Sequence, residues 1–315
     1  MHLKRTIPDV EIAAVSEFLF QLLTGSVDRL PTETLIHKFW AAFEFQQTQT
    51  AEYLACLRKH QLTQVNCYHY TKAYCGSRFG EKPRERIEQC RRLLTNEIST
   101  AAVGVDRTTA RMFDDYHSCI QSHRRRVDAN CTGVLRKAIA SRRLRATKVV
   151  RTTMESMRPL LSTLPNLRVI HLVRDPRAVA LSRNRFDESG RGIYTKNIRN
   201  PESPMVAEAS LYCHHVTADI RSRLALERDF PGRIMSVRYE DVVANPERRF
   251  RDVYKLLDEP LPKVTLGQMQ KKAEDGQAKN FTTKWQDKLT YKEAVTIVRQ
   301  CPEFYRLLNI TADEP

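Results

Sequence analysis

The amino-acid sequence predicts an α/β fold in which a central parallel sheet is flanked by helices, and two observations carry this prediction. Residues 169–173 form a short apolar, β-branched run without polar alternation, which is typical of a central parallel strand. Asp175 and Pro176 follow almost at once, and these residue types favour the N-cap and the first position of a helix. A strand that leads directly into a helix is the repeating unit of α/β proteins.

The remaining elements follow from apolar periodicity and from turn residues. Residues 1–145 are mostly polar with apolar residues at helical spacing, and they predict a helical N-terminal part. From there the sequence predicts, in order, a strand at 147–150, a helix at 155–164, a strand at 167–173, a helix at 176–186, a long loop at 187–204, a helix at 206–228, a strand at 234–238 and a helix capped by Asn245. We therefore divide the chain into parts 1–145 and 146–315.

The junction after the strand at 167–173 has the features of an anion site. Arg174 stands at the carboxyl end of the strand, where open α/β sheets bind ligands, and the following helix N-terminus favours phosphate or sulfate. Ser182 comes seven residues after Asp175, which is about two helical turns, so it returns to nearly the same side of the helix. The alternative is a solvated loop at Arg174 and a small packing residue at Ser182.

Four segments resemble one enzyme family. RVIHLVRDPRAVALSR (168–183) is similar to the 3′-phosphate-binding motif of sulfotransferases that use 3′-phosphoadenosine 5′-phosphosulfate (PAPS), specifically the Golgi carbohydrate 6-O-sulfotransferases. Residues 208–220, 233–258 and 284–310 resemble further blocks in the family's order. The resemblance implies a P-loop-like sulfotransferase fold, and it implies that Arg174 and Ser182 hold the 3′-phosphate of the nucleotide.

The resemblance also implies a reaction. The family transfers the sulfonyl group of PAPS to the 6-hydroxyl of GlcNAc, Gal or GalNAc in a glycan or glycosaminoglycan such as keratan or chondroitin sulfate, in the Golgi lumen and without a metal. Residues 148–151 resemble the family's Lys-x-Val-Arg segment, so Lys148 or Arg151 is the expected cation near the sulfuryl group. Val149 departs from the family's usual threonine, and a charged strand edge is the alternative for both cations.

Family members also carry a Gly/Ser-rich loop that wraps the 5′-phosphosulfate with backbone N–H groups. The nearest segments here, 24–26 and 75–78, are more typical of plain turns. Two interpretations stay open. The chain is N-terminally incomplete, with the loop and a membrane anchor expected upstream, or it is a non-catalytic remnant that binds PAP (the product nucleotide) or sulfated glycans. A P-loop kinase is disfavoured because the sequence has no GxxxxGK[ST] motif.

Charge is strongly positive and unevenly distributed. The chain has 52 Lys and Arg against 37 Asp and Glu, a net charge of +15, and ten of the cations fall within 124–151. Such a stretch attracts polyanions. Nucleic acid is not the expected partner, because no zinc-finger spacing, RNP pattern or aromatic interleaving accompanies it; a glycan acceptor and a nucleotide donor suit the family. The alternative is a solvated helical face over 130–145.

Eight cysteines form an even set without CxxC spacing, which disfavours zinc and allows up to four disulfides in a secretory compartment. Cys213 and Cys301 both lie in family-like helices and are the pair to test. Formal glycosylation sequons at Asn130, Asn280 and Asn309 agree with a secretory glycoprotein.

The general base cannot be assigned from the sequence. His171 lies inside a strand, where a core role is more common than catalysis, and His214-His215 lies on a helix. Glu240-Asp241 stands at a strand end, where capping or salt bridging is expected before acceptor binding. Trp285 could stack on a sugar or an adenine, or belong to the core.

Overall fold

A computed structural model of the protein describes residues 9–30, 32, 35, 51–62, 67–76, 84–94, 96–149, 152–184, 203–274 and 282–310. The chain divides into two compact units, Met1–Thr152 and Thr153–Pro315. The sequence placed the division after residue 145, and the assignment of these parts to one incomplete enzyme domain stays a prediction.

The N-terminal unit is helical in its described residues. Its helices are α1 (Asp9–Thr24), α2 (Ala51–Lys59), α3 (Lys72–Cys75), α4 (Arg84–Leu94), α5 (Thr100–Val103), α6 (Arg107–Asn130) and α7 (Thr132–Ala140), with 3₁₀ turns at Val27–Arg29 and Cys67–Tyr70. The strand predicted at 147–150 is wrong over 147–149, where Thr147 and Lys148 are exposed and form neither strand nor helix. A β-branched run gives a strand only where a neighbouring strand takes up its backbone hydrogen bonds.

Three disulfides connect the helices and turns of the N-terminal unit. They join Cys56 to Cys131, Cys67 to Cys119 and Cys75 to Cys90. The apolar side chains buried with them include Tyr53, Leu57, Phe113, Tyr116, Val127 and Leu135. Covalent loops of this kind restrict the unfolded chain and so stabilise this unit.

Several cations of the basic stretch are used inside the N-terminal unit. Arg124 donates to the backbone carbonyls of Asp28 and Leu30, both at 2.5 Å, and Arg136 forms an ion pair with Asp28 at 2.6 Å. Arg145 donates to the carbonyl of Leu23 at 2.8 Å. Arg124 and Arg145 thus bind backbone carbonyls and Arg136 binds a carboxylate, so part of the predicted polyanion-binding charge has a structural role.

The C-terminal unit contains the predicted strand pair. Its elements are a 3₁₀ turn at Met154–Ser156, α8 (Met157–Thr163), β1 (Val169–Val173), α9 (Pro176–Asn184), α10 (Pro204–Asp229), β2 (Ile234–Arg238), α11 (Tyr239–Ala244), α12 (Pro246–Leu256), α13 (Lys263–Glu274), α14 (Tyr291–Gln300) and α15 (Pro302–Leu307). β1 and β2 pair in parallel, with Val169 opposite Ile234 and Val173 opposite Arg238. The crossover between them contains α9 and α10, as a parallel pair requires.

The sheet is smaller and less covered than predicted. Among the described residues it has two strands, and the side chains of Ile170 and Leu172 are 42% and 56% exposed. The expectation of a strand buried on both faces is therefore wrong here, because Val173 packs into the core while the opposite face of β1 stays open. The parallel arrangement itself is confirmed.

A continuous apolar core lies on the Val173 face of the sheet. It unites residues from α9, α10, α14 and α15 with Trp285 and Leu289. The predicted pair Cys213–Cys301 is confirmed as a disulfide that links α10 to the residue before α15. Asn245 occupies the position before α12, but its side chain makes no capping hydrogen bond, so that detail of the prediction is wrong.

None of the described helices combines the length and the apolar character of a membrane crossing. The predicted loop at 187–204 lies outside the described residues up to residue 202.

Candidate functional site

The junction between β1 and α9 is built around the side chain of Asp175. One carboxylate oxygen accepts from the backbone N–H of Arg177 at 2.8 Å, which is the capping bond that the sequence predicts. The same carboxylate holds the Arg177 guanidinium at 2.8 and 3.0 Å. Arg177 is buried and lies 3.8 Å from the ring centroid of Trp285. Trp285 therefore belongs to the core and packs against a guanidinium, and its stacking on a sugar or an adenine stays a prediction.

The end of β2 is connected to this junction by Glu240. Its carboxylate accepts the backbone N–H of Asp175 at 3.0 Å, which ties α11 to the start of α9. Asp241 pairs instead with Arg249 at 2.9 Å. Both carboxylates therefore have the structural roles that the sequence favoured.

The backbone of Arg174 is fixed by a tyrosine from α10. The hydroxyl of Tyr212 accepts the Arg174 N–H at 3.3 Å and donates to the Arg174 carbonyl at 3.1 Å. The guanidinium of Arg174 lies 4.6 Å from the ring centroid of Tyr239, at the start of α11. The residue predicted to bind the anion thus has an immobilised peptide and a side chain resting on an aromatic face.

Ser182 lies in the last turn of α9 and is half-buried. Its neighbour Arg183 places its guanidinium 5.3 Å from the ring centroid of Tyr212. The last turn of α9 and the Arg174 peptide are therefore both in contact with Tyr212. The role of Arg174 and Ser182 in nucleotide binding stays a prediction.

A cavity of about 220 Å³ opens beside Arg174 at the carboxyl end of the strands. Besides the junction residues it is lined by Arg238, Glu240, Thr282, Thr283, Gln286 and Tyr305. Burial raises the pKa of the Tyr305 phenol, so this hydroxyl stays protonated. The lining combines the guanidinium groups of Arg174 and Arg238 with the carboxylates of Asp175 and Glu240 and with apolar side chains, so the cavity suits a ligand that has both polar and apolar parts.

The candidate bases have distinct environments. Burial and the nearby Arg223 lower the pKa of His171 to about 4, so its imidazole is neutral at physiological pH. Burial raises the pKa of Asp219 to about 6, although the Met154 N–H bound to its carboxylate opposes this. His214 and His215 are exposed on α10. None of them lines the cavity beside Arg174.

Both cations predicted near the sulfuryl group belong to the N-terminal unit. Lys148 is exposed and belongs to the N-terminal unit, outside any strand. Arg151 lies outside the described residues. Their catalytic role stays a prediction.

A group of metal-ligand residue types occurs in the N-terminal unit. Ligand atoms of Cys67, Cys119 and His123 lie within 4.8 Å of one another. The two sulfur atoms are bonded to each other, and a disulfide sulfur is not the thiolate that binds metal ions.

Comparison with known proteins assigns the chain to a protein family. Residues 29–263, well over half of the chain, match the sequence profile described as the Sulfotransferase family. The chain belongs to the sulfotransferase family. The β1–α9 junction, with Arg174 and Ser182, lies within the matched residues of this sulfotransferase.

Its curated relatives include carbohydrate sulfotransferases. The chain is 32% identical over 99 residues to carbohydrate sulfotransferase 1 of Rattus norvegicus, covering 30% of this chain and 24% of the relative. It is 34% identical over 101 residues to carbohydrate sulfotransferase 1 of Danio rerio, covering 31% and 24%. It is 30% identical over 112 residues to carbohydrate sulfotransferase 3 of Tetronarce californica, covering 34% and 25%.

Each of these matches spans about a quarter of the relative's length. No solved structure matched the sulfotransferase chain.

Sequence reasoning missed three contributors to the junction: Tyr212, Arg183 and the ring of Tyr239. The hydroxyl of Tyr212 binds the peptide of Arg174, 38 residues away, and no local spacing in the sequence predicts such a contact. All three residues lie within segments that resemble the family, at 168–183, 208–220 and 233–258, and this resemblance was the available signal.

Proposed function

We propose that this protein binds PAPS and transfers its sulfonyl group to the 6-hydroxyl of GlcNAc, Gal or GalNAc in a glycan or glycosaminoglycan, with keratan and chondroitin sulfate as the acceptor classes. The observation that carries the proposal is the β1–α9 junction. There Arg174 stands with a fixed backbone beside the N-terminus of α9, within the residues that match the sulfotransferase family.

Arg174 and Ser182 bind the 3′-phosphate in this proposal. A phosphate group favours a guanidinium and a hydroxyl, and a P-loop-like sulfotransferase fold supplies them at the carboxyl end of a parallel strand. Stacking on Tyr239 reduces the freedom of the Arg174 side chain before the nucleotide arrives, which lowers the entropy cost of binding.

The proposed reaction breaks the bond between sulfur and the bridging oxygen of PAPS and forms a bond between sulfur and the sugar oxygen. PAP leaves with the bridging oxygen, and the hydroxyl proton passes to a base that remains unassigned. Negative charge grows on the leaving oxygen, so a cation is needed there. Lys148 and Arg151 are our candidates for that cation.

The proposed compartment is the Golgi lumen. All eight cysteines are paired in disulfides, which form and persist in the oxidising secretory pathway. Asn130 and Asn309 are exposed, as acceptors of an N-linked glycan must be.

A second candidate function is binding without turnover. It is favoured by the sequence, in which segments 24–26 and 75–78 are more typical of plain turns than of a 5′-phosphosulfate loop. In that case Arg174, Ser182 and the exposed cations of the N-terminal unit bind PAP or sulfated glycans.

The test combines nucleotide binding with sulfonyl transfer. We expect the protein to bind PAP in calorimetric titration and to transfer ³⁵S from labelled PAPS to desulfated keratan or chondroitin chains. Arg174→Gln should weaken PAP binding at least tenfold, which corresponds to about 1.4 kcal/mol. Arg251→Gln is the matched control, because Arg251 is an exposed arginine paired with Glu247 on α12.

The outcomes separate the two functions. PAP binding with transfer supports the enzyme, and binding without transfer to any of these acceptors supports the second candidate. Equal PAP affinity of the wild type and Arg174→Gln contradicts both.

A further inference from the structure

A groove of about 470 Å³ lies between α12 and α13 of the C-terminal unit, and it shares no lining residue with the cavity beside Arg174. Its volume falls within the range of about 300 to 1,000 Å³ that is typical of ligand-binding clefts. Its apolar lining consists of Ala244 and Pro246 at the boundary of α11 and α12, and of Leu266 and Met269 on α13. The groove is therefore a second concave surface with its own composition.

The two apolar residues of α13 are available for contact from outside. Leu266 and Met269 are three residues apart, so their side chains lie on the same face of the helix. Both are half-buried, and neither belongs to the apolar core around Val173. A methionine side chain is flexible and polarizable, and such side chains are common at surfaces that bind apolar groups of varied shape. This part of the groove suits an apolar side chain of a partner.

The charged residues of the groove leave one positive charge uncompensated. Glu247 and Arg251 both line it and form an ion pair with each other at 2.6 Å. Arg248 lines it as well and is exposed, and in the part of the chain that the structure describes no hydrogen bond or ion pair engages its guanidinium. An exposed guanidinium of this kind attracts a carboxylate, with which it can form charge-assisted hydrogen bonds.

Further exposed cations extend this positive surface along both helices. Lys255 lies about two turns after Arg248 on α12, and Lys263 lies one turn before Leu266 on α13. Across α12 four cations stand against two carboxylates. The chemical complement of the surface is a segment that carries carboxylates together with an apolar side chain.

The α13 side of the groove is not covered by the family match. The matched residues end at Lys263, the first residue of α13, so Leu266 and Met269 lie beyond them. Membership of the sulfotransferase family therefore does not by itself account for this groove.

We propose that the groove between α12 and α13 is a docking site for an acidic peptide segment of a partner protein. One apolar side chain of the peptide contacts Leu266 and Met269, and a carboxylate next to it binds Arg248. The cations would attract a sulfated glycan too, but a glycan has no apolar side chain for the lining, so the groove favours a peptide. The inference goes beyond the proposed function, since it requires neither PAPS nor Arg174.

The experiment selects ligands for the full chain, immobilised on a surface, from a phage-displayed library of random short peptides. We expect the enriched peptides to carry Asp or Glu within a few residues of Leu, Ile, Met or Phe. A fluorescein-labelled synthetic copy of the most enriched peptide is then titrated with the protein by fluorescence anisotropy. The absence of enrichment over the bare surface, or enriched peptides without net negative charge, overturns the proposal.

Two substitutions test the two parts of the groove separately. Arg248→Glu reverses the charge and should weaken peptide binding at least about tenfold. Met269→Glu places a carboxylate in the apolar lining and should abolish saturable binding. Arg299→Glu is the matched control, because Arg299 is an exposed arginine on α14, and peptide affinity should then change less than about twofold. Melting temperatures show which variants are folded, and the exposed position of Arg248 keeps the test decisive if Met269→Glu does not fold.

The remaining outcomes are also decisive. Wild-type peptide affinity in folded Arg248→Glu overturns the proposal. If labelled chondroitin sulfate fragments bind the wild type, lose affinity in Arg248→Glu and no peptide is enriched, the surface binds a glycan and the peptide site is refuted. Arg174→Gln should keep wild-type peptide affinity while it loses PAP, so this inference and the proposed function fail separately.

Discussion

The two units of this sulfotransferase are stabilised by different means. The N-terminal unit contains three of the four disulfides and uses arginine side chains to bind backbone carbonyls. The C-terminal unit contains a parallel strand pair, a continuous apolar core and one disulfide. Covalent loop closure and packing therefore contribute in different proportions to the two halves of one chain.

This difference bears on where a precise binding site can be built. Packing in the C-terminal unit orients a strand end, a helix start and the tyrosines around Arg174. A binding site needs such rigid support, since a side chain that must be ordered on binding lowers affinity. The proposed nucleotide site accordingly lies in the C-terminal unit. Substitutions in each unit test this difference between disulfide-based and packing-based stability.

Removing the disulfide between Cys56 and Cys131 should have the largest effect. Replacing both residues by serine opens a loop with a sequence separation of 75, and chain entropy predicts a loss of about 4 kcal/mol in the stability of the N-terminal unit. Hydrogen exchange should accelerate across α6 and α7 while α10 stays protected. Cys213→Ser with Cys301→Ser is the control, and it should deprotect α10 instead. Uniform acceleration in both units would show that they do not respond separately.

Truncating a core side chain of the C-terminal unit should come next. Ile297 is fully buried in its apolar core, and Ile297→Ala should destabilise the unit by about 3 kcal/mol through lost burial and a cavity. The urea midpoint and PAP binding should both decline. Leu135→Ala, at an equally buried position of the N-terminal unit, should lower stability without altering PAP affinity. A loss of PAP affinity in Leu135→Ala would contradict the separation of roles.

Acidification should affect the C-terminal unit through His171. Its pKa is lowered to about 4 in the fold, so the neutral form stabilises the protein above pH 6.5 and this contribution is lost as the pH falls toward 4. Between pH 7.5 and pH 5 the loss amounts to about 2 kcal/mol relative to His171→Gln, measured by urea unfolding.

His123 of the N-terminal unit is the comparison for this pH effect. Burial and Arg126 lower its pKa as well, but by less than that of His171, so His123→Gln should change the pH dependence less. Equal pH profiles of the wild type and His171→Gln would show that His171 is protonated as readily in the fold as in the unfolded chain.

Removing one helix cap in each unit should have the smallest effect on stability. Thr290 and Glu293 form a capping box at the start of α14, and Thr290→Ala should cost about 1 kcal/mol. Asp106 accepts the Thr109 N–H at the start of α6, and Asp106→Ala should lower the melting temperature of its own unit. Thermal unfolding monitored by hydrogen exchange shows which unit loses stability in each variant. A cap variant that destabilises the other unit would contradict the contrast.

Elements that depend on neighbours along the chain were predicted well. The strand predicted at 234–238 has the observed bounds, and the helix from Pro176 begins where Asp175 caps it. The strand expected at 147–150 was wrong over 147–149, since a β-branched run does not reveal whether a partner strand is available. The same limitation applies to β1, whose apolar face is partly exposed.

The sequence by itself determined the local features of this protein: the strand–cap–helix junction at Arg174, the mostly helical character of residues 1–145 and, through family resemblance, the link between Cys213 and Cys301. Only the tertiary structure decided that Arg177 occupies the face of Trp285 and that the Tyr212 hydroxyl holds the Arg174 peptide. Caps and helical spacing act within a few residues, so sequence reveals them. Contacts between residues far apart in sequence form only when the chain packs, and their partners are chosen by shape and burial in the folded state.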